Sequence, residues 1–425
     1  MTSRPVQAFP DVAIVGAGPV GCVAALAHAH AGARVLLLEA APRAAHRLAG
    51  EWLHPRGAAT LARLGVSLPP TASRTLGFVV FPEDGSEAVE LSYADGRTGV
   101  SCEHERLVLA LRARVLAEPG IQLAAGARAL GVKPRGLSYV LAQRRHEATA
   151  GRIVGADGRA SIVRRSLRLP TDRAIVSRVA GVVLENVELP FEGFGHVVLG
   201  GPGPVLAYRL DPGRVRVCLD VPTGRRYDST RLWDEFAPVL PAALLPPFRT
   251  ALEREPVRWA AIHYRTRLLA AHYGAGTAAL VGDAVGELHP LSAAGITLGF
   301  DDAEALAATE RLERYRRERA HRARVPELLG TALYEAFTRP DDGTAAIRRA
   351  MVELWRGSPL ERDRTMRLLA CDELRMRAFS RSFLKVLALA IEDVAGNVLL
   401  RRQLAGGART LGGLGWWLRR FATGV

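Results

Sequence analysis

Lysine is nearly missing from this chain of 425 residues: of 57 basic side chains only Lys133 and Lys385 are lysines, and the rest are arginines. Cysteine is scarce too. Cys22, Cys102, Cys218 and Cys371 are scattered, with no CxxC pair and no histidine at metal-ligand spacing. That excludes a zinc module and a disulfide scaffold and predicts free thiols in a reducing compartment, with no metal. No charge-free apolar run of ~18 residues occurs, so a spanning helix is not expected. Met1 to Pro10 lacks the apolar core of a signal peptide, so the expected location is cytoplasmic. Internal repeats, low-complexity linkers and basic–aromatic interleaving are absent, and no nucleic-acid partner is expected.

What is present is an ordinary globular composition, 48% hydrophobic and 24% charged, with an unusual net charge of +14. The length suggests two or three coupled domains. The arginine excess has two readings: attraction to an anionic partner such as a phosphate-bearing cofactor, or a compositional preference on a solvated surface.

The first forty residues carry the clearest signal. Asp11 to Val15 is a short β-branched run that runs into Gly16-Ala-Gly-Pro-Val-Gly21 and then an alanine-rich helix to about Ala31. Arg34 to Glu39 follows as a second apolar strand. Gly16 permits the tight turn, Gly18 lets the backbone approach a pyrophosphate, and Gly21 allows helix and strand to pack closely. The helix start offers free N–H groups and a positive dipole end. Glu39, 18 residues beyond Gly21, stands where a carboxylate accepts ribose hydroxyls. An acid there fits a 2′-hydroxyl, so the motif predicts an adenine dinucleotide and leaves FAD and NAD open.

Two later segments end strands in glycine-rich turns. Ile153 and Val154 lead into Gly155-Ala-Asp157-Gly158, with Ser161 and Arg164 on the next helical turn. Ala279 to Val281 lead into Gly282-Asp283, at the strand end where open α/β sheets place ligand contacts. A small-residue loop then reaches Gly295-Ile296-Thr-Leu-Gly299, which opens a helix carrying Asp301 and Asp302.

In order and spacing these three segments resemble the GxGxxG, DG and GD motifs of the class A flavin monooxygenases. Further stretches resemble the squalene epoxidase branch: Gly50-Glu51-Trp-Leu-His54-Pro-Arg-Gly57 with Leu61 to Gly65, His104-Glu-Arg106 with Leu111-Arg112, and His289-Pro-Leu-Ser-Ala-Ala-Gly-Ile-Thr297. The third departs from that branch, with Ser-Ala-Ala where Thr-Gly-Gly is usual. The resemblance spans roughly residues 10 to 330. It implies an α/β fold with a Rossmann-like, GR2-type FAD-binding domain, an inserted antiparallel β-sheet substrate domain and a helical C-terminal region.

The implied division is 1–75, 100–172 and 265–330 for FAD, 76–99 and 173–264 for substrate, and 331–425 for the helices. Gly16, Gly18, Gly21, Glu39, Arg106, Asp157, Gly282, Asp283, Gly295 and Ile296 are the residues expected to hold FAD; of Arg106 and Arg112, which share a helix, one is expected to contact it. His289 and Glu51 are candidates for proton transfer near the flavin ring. A loop histidine before proline and an acid paired with an arginine are their plain alternatives. Trp52, Phe78, Phe81, Tyr93 and Tyr208 are candidates for a lipophilic wall, two of them at most.

The implied chemistry is a monooxygenation: NAD(P)H reduces FAD, and O₂ then supplies an oxygen atom that epoxidises or hydroxylates a bulky lipophilic molecule (aromatic, quinolone, polyketide or prenylated) of secondary metabolism. Whether a separate flavin reductase takes part is left open. A reductase of the geranylgeranyl type is the alternative. A flavin halogenase ranks lower, because its Trp-x-Trp-x-Ile-Pro stretch and catalytic lysine are not visible. Strand-like alternation is expected over 76–91, 176–189, 195–199 and 205–221, with Asp211-Pro-Gly213 as a turn. The last segment, Leu411 to Phe421, mixes aromatics, leucines and arginines. It suits either an interfacial helix on anionic lipid or a helix docked on the core.

Overall fold

The computed structural model describes residues 10–44, 48, 50–133, 136–169, 174–264, 270–401, 412–417 and 419. The amino-terminal residues 1–9 lie outside these.

Val12–Val15 forms the centre of a six-stranded sheet because every residue in it is apolar and buried on both faces. Its neighbours Val35–Glu39 and Arg152–Gly155 run parallel to it, with Val12 opposite Val35 on one side and Arg152 on the other. Ile121–Ala125 extends one edge, and Ala278–Leu280 and Gly274–Ala275 extend the other. The helix Pro19–His30 starts three residues before the alanine-rich run, with Gly18 at its N-cap and Pro19 in the first turn. Proline suits that position because its missing N–H would have no helical partner there. The three glycine-turn segments therefore end neighbouring parallel strands on one edge of one sheet, where the strand order reverses.

A second sheet has seven strands, in the order Arg258–Tyr264, Ala174–Glu185, Arg214–Pro222, Val205–Asp211, Phe194–Val198, Gly77–Phe81, Val89–Ser92. It is antiparallel except at one junction. Phe194–Val198 pairs parallel with Gly77–Phe81, a correction to the wholly antiparallel expectation. The cause is the long excursion between the two strands, which allows the chain to return in the same direction. One face packs Val215, Val217 and Leu219 against Leu232, Phe236 and Phe248 of two helices. The other face packs Phe78, Val80 and Leu210 with Val325, Leu329 and Leu333.

The helix Leu312–Thr338 runs without interruption through position 331 and carries Pro326 inside it. Asp342–Gly357, Pro359–Leu369 and Met376–Arg401 follow as further helices. Of the terminal aromatic segment, residues 412–417 are helical and docked. Trp417 is buried with Leu414, Ile347 and Leu387, and its Nε1 donates to Thr344 Oγ1 at 3.1 Å. Leu411, Leu418, Arg420 and Phe421 lie outside the described residues. Among the described residues no helix is long and apolar enough to cross a membrane.

Candidate active site

One cavity of about 660 Å³ joins the glycine turn of the first sheet to the inner face of the second. At the turn end it is lined by Gly16, Gly18, Glu39, Arg43, Arg112 and Arg128, and by Asp157 and Asp283 along its length. Gly16 has φ +101°, and a β-carbon on it would stand 2.6 Å from the Ala156 carbonyl oxygen. On Gly21 a β-carbon would stand 1.7 Å from the Gly16 oxygen, so this residue is fixed by helix–strand packing and lies behind the wall. Gly18 and Gly295 differ from both. They line the cavity, and a β-carbon on either meets nothing within 4 Å. No contact among the described residues requires glycine there; close approach by a bound molecule would.

Glu39 Oε2 accepts from the Ala17 N–H at 2.7 Å and Oε1 from the Ala41 N–H at 2.7 Å, and Arg112 reaches Oε2 at 3.0 Å. Arg112 Nε also donates to the Ala17 carbonyl at 3.0 Å. Arg106 points elsewhere: it pairs with Glu103 at 3.1 Å and donates to Thr71 Oγ1 at 2.6 Å, away from the cavity lining. Of the two arginines on the helix His104–Leu116, the structure brings Arg112 to the cavity. The residues are six apart, and the helix presents only 112 to the glycine turn.

Asp157 Oδ2 accepts the Ile162 N–H at 2.6 Å, while its buried Oδ1 has no hydrogen-bond partner among the described residues. Asp283 lies 3.8 Å from Arg159, which also stands 3.5 Å from Glu287. Gly282 sits behind the lining, and its N–H is bonded to Asp302 Oδ2 at 3.1 Å. Asp302 in turn pairs with Arg319 of the long helix. Ile296 and Gly295 close the cavity from the start of the helix Gly295–Ala307.

These features fit FAD. Cationic side chains and a helix N-terminus face the turn end, where a pyrophosphate needs them. Two glycines leave open space, and an orphaned carboxylate oxygen is present for a hydroxyl or N–H of a ligand.

At the sheet end, strand register decides which side chains face inward. Val179 lies opposite Asp220 and Ala260, Ser177 opposite Ile262, Leu206 opposite Cys218, and Tyr208 opposite Arg216. Val179, Leu206, Tyr208, Cys218, Asp220, Ala260 and Ile262 line the cavity. Of the aromatic candidates, Trp52 and Tyr208 do so. Phe78 stacks behind Trp52 at 4.9 Å between ring centroids, and Tyr93 accepts the Trp52 N–H at 3.0 Å.

Glu51 is 3% exposed and is held on both oxygens. Arg216 forms a two-pronged pair with it, Nε at 2.9 Å and Nη2 at 2.8 Å, and the Tyr208 hydroxyl donates to Oε2 at 2.8 Å. A carboxylate so occupied orients its neighbours; both of its oxygens are engaged within the protein. His54, also buried, contacts the Tyr93 hydroxyl at 2.8 Å and the Ser292 carbonyl at 2.9 Å.

His289 lies in the loop before Gly295. Its Nδ1 accepts the Leu291 N–H at 3.3 Å, its ring lies 4.3 Å from that of Tyr334, and its buried Nε2 has no hydrogen-bond partner among the described residues. Burial drives its pKa down to about 3, so the ring is neutral. Across from it stands Asp220, whose carboxyl burial pushes up to about 7 against the lowering effect of the Ser177 hydroxyl. Asp220 and Arg216 were not singled out by motif; both sit at alternating positions of a strand, a pattern that ordinarily marks a solvated face.

Comparison with known proteins agrees with this geometry. A model described as squalene epoxidase matches residues 149–394, and one described as an NAD(P)-binding Rossmann-like domain matches 14–67. Squalene epoxidase 3 of Arabidopsis thaliana is 31% identical over 377 residues, covering 80% of this chain and 70% of the plant protein. Squalene epoxidase erg1 of Aspergillus fumigatus is 27% identical over 380 residues, 80% of this chain and 77% of the fungal one. Two solved structures share the fold at 20% identity. PqsL, a probable FAD-dependent monooxygenase of Pseudomonas aeruginosa, has a TM-score of 0.66 over 78% of this chain and 97% of its own. The p-nitrophenol 4-monooxygenase PnpA of Pseudomonas putida has 0.69 over 89% and 98%. The chain is an FAD-dependent oxidoreductase of the monooxygenase kind, with NAD(P)H as reductant, and it belongs to the squalene epoxidase family.

Proposed function

We propose that the protein inserts one oxygen atom from O₂ into a bulky lipophilic small molecule of secondary metabolism, as an epoxide or a hydroxyl. Support comes chiefly from the continuity of the cavity, which leads from the glycine turn to a wall of Val179, Leu206, Ala260 and Ile262. We assign FAD to Gly16, Gly18, Glu39, Arg112, Asp157, Asp283, Gly295 and Ile296, with Gly21 and Gly282 shaping the turns from behind. Arg112 takes the role expected of Arg106. Bound FAD supplies the redox chemistry that carries electrons from NAD(P)H to O₂.

The chain's own residues bind, orient and keep water out. The sheet wall and Trp52 exclude water from the reacting region, which protects a reactive oxygen species from discharge. Glu51 locks Arg216 and Tyr208 into one arrangement, so the wall keeps its shape. Residues 76–99 and 173–264 are assigned as the substrate side of the molecule, 1–75, 100–172 and 265–330 as the cofactor side, and 331–425 as the helical buttress.

The test is to load the purified protein with FAD, add NADPH, and follow O₂ uptake with a panel of prenylated and aromatic lipophiles. The expected result is substrate-stimulated uptake with a product one oxygen atom heavier. Saturation of a double bond without oxygen, and no stimulated uptake, would favour the reductase alternative and overturn this reading.

A further inference from the structure

The sheet end of the cavity contains a polar pair that an all-hydrocarbon substrate would leave unsatisfied. Because Nδ1 of His289 accepts the Leu291 N–H, the neutral ring carries its proton on Nε2. That N–H is a buried donor with no acceptor in bonding distance among the described residues. The nearest charged group is Asp220 Oδ2, at 3.8 Å, beyond a direct hydrogen bond. Both residues line the cavity, and their side chains are 1% and 7% exposed.

The gap is held open from three elements. Ser177 Oγ donates to Asp220 Oδ2 at 2.8 Å from the neighbouring strand. Tyr334, on the long helix, backs the His289 ring at 4.3 Å, and its own hydroxyl donates to the Val176 carbonyl at 3.1 Å. The Leu291 N–H fixes the other edge of the imidazole. His289 and Asp220 therefore cannot close on each other without breaking contacts elsewhere. Among the described residues, Tyr334 and Ser177 are polar neighbours of the His289–Asp220 pair.

We infer that the substrate carries a hydroxyl group, which accepts from His289 Nε2 and donates to a carboxyl oxygen of Asp220, anchoring an otherwise apolar molecule at one end. This rests on the lipophilic-substrate reading above and narrows it. A hydrocarbon filling the same space would remove water from both groups and return no hydrogen bond, at a cost of roughly 1–3 kcal/mol per group. Sites built around such buried polar groups discriminate strongly against analogues that lack the partner. His289 and Asp220 are thus specificity-determining residues, and the family's hydrocarbon substrate is not the expected ligand here.

The experiment compares farnesol with farnesene, which share a fifteen-carbon skeleton and differ at the hydroxyl. Dissociation constants are measured on the FAD-loaded protein from the perturbation of flavin absorbance, with no turnover required. The ratio of the two constants is then compared among wild type, His289→Leu, Asp220→Leu and the shape-conserving pair His289→Gln and Asp220→Asn. The wild-type ratio should favour farnesol by about 10-fold or more relative to either leucine variant. His289→Gln, which keeps a donor, should recover part of it.

A ratio unchanged within about twofold across all variants overturns the inference and points to a water bridging the pair. Equal affinity for the two probes, or affinity for neither, overturns it as well. If the leucine variants fail to retain flavin, the two conservative variants decide alone, because Asp220→Asn turns an acceptor-only group into a mixed one and must still move the ratio. Failure here leaves the O₂-uptake test standing. Loss of O₂ uptake with an intact binding ratio would instead remove the monooxygenase reading and keep the anchor.

Discussion

At the turn end of the cavity the wall is shaped by backbone; at the sheet end it is shaped by side chains. Gly16, Gly18, Gly21 and Glu39 lie within a single strand–helix–strand unit, and their roles follow from how closely one main chain can approach another. Glu51, Tyr208, Arg216, Asp220 and His289 are far apart in sequence and meet only because a loop and the segment before Trp52–Leu53 pack against the seven-stranded sheet. The first end depends on an absence of atoms, the second on charges buried in matched sets. Substitutions should therefore fail in different ways: steric at the turn, electrostatic at the sheet.

The largest effect is expected from Gly21→Ala. Its β-carbon would lie 1.7 Å from a backbone oxygen that cannot move without unseating the turn. Loss of more than about 4 kcal/mol in urea unfolding, or no folded protein at all, is the expected outcome. A variant of wild-type stability would break the steric account of this end. Glu51→Ala comes next. It leaves the Arg216 guanidinium, 4% exposed, as a buried charge without its partner. A loss of about 3–5 kcal/mol is expected by the same measurement, and a loss under about 1 kcal/mol would show that the pair is not what shapes the wall.

The same contrast explains what was legible in the sequence. The turn end is local: strand, glycines, helix and terminal acid are contiguous, so spacing alone gave Gly16, Gly18, Gly21 and Glu39 their places. The ends of strands Arg152–Gly155 and Ala278–Leu280 became readable through resemblance, since a glycine-rich turn by itself has several uses. The sheet end was opaque for a physical reason. Arg216 and Asp220 alternate with Val215, Val217 and Leu219, the usual signature of a strand with one wet face. Here Glu51 and His289 cover that second face, and no periodicity within one strand reports on what covers it. Arg106 and Arg112 illustrate the same limit on a helix, where both look alike in sequence and only docking against the turn selects Arg112.

A third effect is smaller and depends on pH. The Asp220 carboxyl has an ordinary value of 3.8 and is raised to about 7 by burial. Between these values the unfolded chain has released the proton while the folded protein keeps it. The contribution is thus fully present below about pH 4, is lost as pH rises toward 7, and stays lost above. Asp220→Asn cannot ionise in either state, so it should be more stable than wild type at pH 8 by on the order of 2–4 kcal/mol, with the difference vanishing near pH 4. His289, held neutral at about 3 against 6.5, titrates in the opposite sense as pH falls. It is common to both proteins and cancels in their difference; Ser177 and Tyr334 do not ionise in this range. A difference independent of pH would show that the Asp220 carboxyl is not desolvated.

The smallest effect on stability, and the sharpest on binding, belongs to Gly18→Ala. Gly18 has φ −76° and ψ −176°, a conformation open to any residue, and an added β-carbon touches nothing in the chain. Its loss as an N-cap costs no more than about 1 kcal/mol. Yet the new methyl group projects into the cavity where the helix N-terminus faces a pyrophosphate, and it holds that group away from the N–H donors it requires. FAD affinity, measured by fluorescence quenching on the stripped protein, should fall by about 10-fold or more while the urea midpoint barely shifts. The pairing with Gly21→Ala is what gives the result meaning: two alanines, three residues apart on one turn, one breaking the fold and the other only the ligand. Were Gly18→Ala to bind FAD as wild type does, the open space at that glycine would not be the cofactor's, and the assignment of the turn end would have to move.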